Sequence, residues 1–133
     1  DIRAAGGDAE AARASKPARP TDIMTAYAWD IVNRRNPVAF FGMVFVLEGT
    51  SVARASQAAD VLMQSLKLPR SAFTYLTSHG SLDVSHMQFF EETVNLLTDP
   101  QDQADIIDTA KVMFYLFAEM FRSIPNLPVK EAA

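Results

Sequence analysis

His79, Asp83 and His86 stand at offsets of four and seven along one stretch and include both histidines of the chain. On a helix these offsets stack three side chains along one line, each about one turn above the last. Two imidazoles and a carboxylate on one line are donors for a transition metal, and such a set leaves coordination positions open, which suits iron that meets dioxygen. Glu48 supplies a second carboxylate from the middle of an apolar stretch, Phe45-Val46-Leu47 on one side and Val52 on the other. A buried carboxylate needs a cation, a metal or a donor network, because desolvation otherwise drives it neutral. The plainer alternative pairs Glu48 with a lysine or arginine, or turns it to the edge of its stripe. A lone histidine on an apolar face is ordinarily a satisfied core residue, but here both histidines and two acids fall together, and that coincidence favours a metal.

These residues need helices to position them. Glu48 lies on a segment expected to be helical from Pro37 to about Lys67, with Phe41, Val44, Phe45, Val52, Ala55, Ala59 and Leu62 at the spacing of a buried face. Leu68-Pro69 breaks it. A second helix is expected over Ser71 to Leu97, its apolar face marked by Ala72, Tyr75, Leu76, Leu82, Phe90, Val94 and Leu97 and interrupted by the two histidines and Asp83. Upstream, a short helix near Asp8 to Ser15 and a linker to residue 20 precede a helix capped by Thr21 or Asp22 and closed near Arg34 and Arg35. Downstream, Asp99-Pro100 opens a helix to about Ser123, with Ile106, Ile107, Ala110, Met113, Phe114, Phe117, Ala118 and Phe121 on its stripe and Pro125 and Pro128 ending it. Four substantial helices without an alternating strand pattern predict an all-α bundle with short connections, one domain over residues 1–133 whose helical core spans 21–123.

Composition narrows the function. The 133 residues suit one core, and 49% hydrophobic with 21% charged residues is globular composition. A net charge of -4 with no clustered basic face argues against nucleic acid. The absence of cysteine removes disulfides, thiolate metal sites, iron-sulfur clusters and a cysteine nucleophile together. The longest apolar run, Pro37 to Leu47, is short of a membrane span, and no leader-like segment opens the chain, so a cytoplasmic location is expected. Asp105 and Asp108 read as solvated or dipole-facing, and Glu91 and Glu92 as surface residues off the ligand line. Phe41, Phe45, Met87 and Phe90 are candidates to line an apolar substrate pocket, and Tyr75, one turn before His79, to hydrogen-bond behind the ligands.

The runs Phe45-Val46-Leu47-Glu48-Gly49-Thr50-Ser51 and Tyr75-Leu76-Thr77-Ser78-His79-Gly80-Ser81-Leu82-Asp83-Val84-Ser85-His86 resemble the haem-oxygenase-like non-haem diiron oxidases, also called iron-containing redox enzymes. The likeness extends over roughly Thr21 to Ser123. It implies a helical fold shared with haem oxygenases and thiaminase-II-like proteins, and dioxygen activated by iron to oxidise, desaturate or cleave a small organic substrate. It also implies that Glu48, His79, Asp83 and His86 are metal ligands from two core helices. One departure stands out: the Glu-x-x-His pair that such proteins carry on an earlier helix has no counterpart here. Three expectations follow: the chain is the C-terminal part of a longer enzyme, or a partner such as a second copy supplies the helix, or it is a one-metal or metal-free relative. Four ligands hold one iron, whereas two take about six, so one or two ions remain open and single occupancy is expected of this chain alone. The alternative function is a metal-free thiaminase-II-like hydrolase or small-molecule-binding domain, which the missing cysteine nucleophile disfavours. A third reading is a structural helical domain with a buried polar network.

Overall fold

The computed structural model describes residues 1–125, the side chain of Ser81 apart, and the described residues form helices and no strand. Helix α1 spans Ala9–Ala14, and the Asp8 carboxylate accepts from the N–H groups of Glu10 and Ala11 at its start. Helix α2 spans Arg19–Arg34 and so begins before the expected caps Thr21 and Asp22. Pro20 explains the earlier start, since its ring fixes a helical φ and its missing N–H costs nothing in a first turn. Asp22 instead sits in that first turn, where the helix dipole favours an acid.

Asn36 makes the next corner. Its side-chain oxygen caps a 3-10 turn, Pro37–Phe40, by accepting from the Val38 N–H at 3.1 Å. The long helix α3, Phe41–Leu66, continues from that turn and stops where Lys67 takes a left-handed conformation at φ 54°. A second 3-10 turn, Arg70–Ala72, leads into α4, Thr74–Val94, and α5 spans Pro100–Arg122. The helix expected over residues 71–97 is therefore shorter, because Phe73 leaves helical geometry at φ -129°. Phe73 offers α4 no side-chain cap. Asp1 fills that role from the far end of the described chain: its carboxylate accepts from the backbone N–H of Thr74 at 3.2 Å and of Tyr75 at 2.8 Å, and from the Thr74 hydroxyl. Asp99 caps α5 through the Gln101 N–H as expected. Of the two prolines expected beyond α5, Pro125 follows its end, and Pro128 lies outside the described residues.

Helix α3 is the centre of the bundle, with α4 packed along it and α5 against another of its faces, while α2 packs on α5. The core joins Met24, Ala28 and Ile31 of α2, Ala39 of the turn, Val46 of α3, and Met113 and Leu116 of α5. Small residues set how closely the helices approach. A Cβ on buried Gly42 would overlap the Ile106 carbonyl and lie 2.6 Å from the Ala110 nitrogen, so α3 and α5 meet backbone to backbone there. Gly80 faces Ser56 between α4 and α3, where a Cβ would overlap the Ser56 hydroxyl and lie 3.3 Å from its backbone nitrogen, with Ala55 and Ala59 buried alongside. That contact gives a mid-helix glycine a packing role.

Because α3 is contacted on more than one face, the expected single stripes are displaced. Val46 rather than Phe45 is buried on α3, Thr109 and Leu116 join Ile106 and Met113 on α5, and Ile107, Phe114, Phe121, Tyr75 and Leu82 stand exposed. The 30-residue stretch Pro37–Leu66 is, by length and composition, apolar enough to cross a membrane, which the count of uninterrupted apolar residues underrated. It carries Glu48, Arg54 and Asp60, and α4 and α5 both pack on it.

Candidate metal centre

Helices α3 and α4 run antiparallel, and the close Gly80–Ser56 approach brings the next turn of α4 over the first half of α3. Asp83 is thereby buried, 3% exposed, and is the only charged residue buried among the described ones. Glu48, Asp83 and His86 each offer a ligand atom, and these atoms lie within 4.8 Å of one another. The His86 Nδ1 stands 3.5 Å from an Asp83 oxygen and 3.7 Å from a Glu48 oxygen. Both distances exceed ordinary hydrogen bonds of about 2.7–3.2 Å. They are close to, and slightly wider than, the spacing of donors around one ion, since ligands at about 2.0–2.2 Å from a common metal stand roughly 3–3.5 Å apart. The donor chemistry, one imidazole and two carboxylates, fits a divalent first-row metal such as ferrous iron.

The burial of Asp83 is the chief sign that something further belongs here. A desolvated carboxylate requires compensation. Among the described residues its one ion pair is with His86, an imidazole whose side chain is 55% exposed. A cation between the three groups would compensate Asp83 and use the partly exposed Glu48 and His86 as its remaining donors. The exposed side of the group leaves room for further ligands or for substrate.

His79 is not in this group of three. Seven residues of helix separate it from His86, a rise of about 10 Å, so the two imidazoles cannot converge on one ion. The offsets that place the residues on one line also space them two turns apart. The His79 Nδ1–H donates to the Tyr75 carbonyl at 2.9 Å, and the two rings lie 4.1 Å apart between centroids. That bond fixes the tautomer and leaves the lone pair on Nε2. Tyr75 thus orients His79 through its backbone and its ring, not through the phenol expected from sequence.

Of the four pocket candidates, Phe45, Met87 and Phe90 line a cleft of about 420 Å³ between α3 and α4, together with Val52 and Val84. Phe41 stands behind it, packed edge-on against Phe90 at 6.0 Å. The cleft adjoins the three ligands through the chain itself: Val84 and Met87 are next to Asp83 and His86, and Phe45 and Val52 lie one turn either side of Glu48. Asp105, expected to be solvated or dipole-facing, accepts from the Asn36 amide at 2.9 Å and from Gln101 at 2.8 Å, and Asp102 accepts from the same Asn36 amide at 2.7 Å. These bonds, Asn36 first, hold the Asp105 carboxyl below the usual carboxylate range.

Comparison with known proteins gives one result. A family model described as iron-containing redox enzyme matches residues 1–118. No curated protein and no solved structure matches the chain.

Proposed function

The chain belongs to the iron-containing redox enzyme family, and from that premise we propose that Glu48, Asp83 and His86 hold iron in an oxidase that uses dioxygen on a small organic substrate. Membership carries the redox function. The observation supporting these particular residues is the burial of Asp83 within reach of His86 and Glu48. Bound iron would supply the one-electron chemistry that reaction with dioxygen needs.

The chain's own residues do the rest. Asp83, packed between α3 and α4, is the fixed anchor, whereas Glu48 and His86 retain access to solvent and can adjust to an incoming ion. Phe45, Val52, Val84 and Met87 form an apolar wall next to the donors, which keeps water from one side and offers a substrate a surface to lie on. His79, with its Nε2 lone pair directed by the Tyr75 bond, is the candidate donor for a second ion one to two turns along α4.

Anaerobic titration with ferrous iron, read by metal analysis, tests this assignment. One ion per chain is expected for the unaltered protein, with His86→Ala or Asp83→Asn weakening binding at least tenfold and His79→Ala weakening it less. Retention of full affinity by both His86→Ala and Asp83→Asn would remove these residues from the site.

A further inference from the structure

The cleft beside the donors has a polar edge. Gln88 and Glu91 of α4 and Asn95 at its C-terminal cap lie along it, while its other lining residues are apolar. Glu91 reads from sequence as a plain surface residue, yet it lies on this rim. Among the described residues its carboxylate makes no ion pair or hydrogen bond. Among the described residues no lysine or arginine lines the cleft. Glu91 lies eight residues of α4 beyond Asp83 and five beyond His86, a separation of roughly 7–12 Å by helix rise.

We infer that this cleft takes the alkyl chain of an amphiphilic amine, with the ammonium at Glu91 and the distal carbons, not the nitrogen, beside Glu48, Asp83 and His86. Three observations select that ligand. The walls offer little to a polar body, so a chain is what they bury. An unpaired acid at one end attracts a cation and repels a carboxylate, and no basic residue reverses that preference. The donors lie beside the Val84 end of the cleft, Asp83 eight and His86 five residues of α4 before Glu91, so a ligand held by its charge reaches them with its tail. A second cleft of about 490 Å³ lies across Phe45, lined by Lys111, Phe114 and Tyr115 of α5 and by no residue of α4. Its one cation is paired with Asp108 at 3.2 Å, and it does not share the helix that carries Asp83 and His86.

The orientation rests on the metal assignment above, whereas the ranking of ligands does not, and the experiment separates them. Calorimetric titration of the metal-free protein with n-octylamine, n-octanol and n-octanoate is expected to rank them in that order. Glu91→Gln should lower octylamine affinity about two- to fivefold, toward that of octanol. Shortening the amine to n-hexylamine should weaken it about tenfold, from two methylenes left unburied. With manganous ion bound, proton line broadening of octylamine should be greatest at the terminal methyl and least beside the nitrogen. Octanoate binding as tightly as octylamine, or Glu91→Gln leaving the ranking unchanged, would overturn the inference. So would broadening greatest beside the nitrogen, or a dimer that forms with rising protein concentration and shuts octylamine out, giving the cleft to a second copy. If the ranking holds but neither ferrous nor manganous ion binds, the amine cleft stands and the metal assignment fails.

Discussion

Asp83 concentrates the competing demands on this protein in one side chain. Its carboxylate is desolvated, and the imidazole that faces it is half in solvent, so the metal-free protein carries a charge it compensates poorly. Asp83→Asn should therefore leave the metal-free protein about 1 kcal/mol more stable, since the relief of desolvation outweighs a contact to an exposed imidazole. The same substitution should abolish the stabilisation by ferrous iron, which for the unaltered protein reaches about 2.7 kcal/mol at a hundredfold excess over Kd. Anaerobic urea unfolding of both proteins with and without the ion measures the two effects. The residue types and their spacing made this constellation legible in sequence. The division within it was not, because the projection that puts His79 and His86 on one line hides the rise between them.

At the scale of the helices, glycine positions decide the packing. Gly42→Ala is expected to cost about 3 kcal/mol, since the new Cβ meets backbone atoms of α5 that cannot step aside. Gly49→Ala, whose Cβ would come only within 3.9 Å of the Met87 thioether, is expected to be neutral or stabilising by up to about 1 kcal/mol through helix propensity. Urea midpoints of the two variants would check the contrast. Helix existence was readable because Asn36-Pro37, Leu68-Pro69 and Asp99-Pro100 punctuate the chain. Which face each helix buries was not, since α3 serves α4 and α5 at once and a single stripe cannot describe a helix with two neighbours. The helix that carries Asp83 and His86 also lacks a local start signal. Its cap comes from residue 1, a relation no sequence window contains.

Across the whole molecule, the corner at Asn36 ties the start of α3 to the start of α5 through Asp102 and Asp105. The Asp105 carboxyl titrates below its ordinary range in the folded protein because Asn36 and Gln101 donate to the charged form. A lowered folded-state pKa means that its contribution is complete above the ordinary carboxylate range and is lost as pH falls through that range to the folded value. The stability difference between the unaltered protein and Asp105→Asn should accordingly be largest near neutrality and shrink on acidification, as denaturation midpoints across pH would show.

The bond from Asp1 to the first turn of α4 bears on the order of events in folding. It closes a loop of more than seventy residues, and contacts that span so much chain repay their closure entropy late. The cap is thus among the last interactions to form and the first to open. Helix α4 can pack on α3 before its N-terminal end is secured, so the amides of Thr74 and Tyr75 are expected to exchange sooner than those of the Asp83 turn, as hydrogen exchange would show. The capped end of α4 and the turn that carries Asp83 and His86 are thereby expected to open on different timescales.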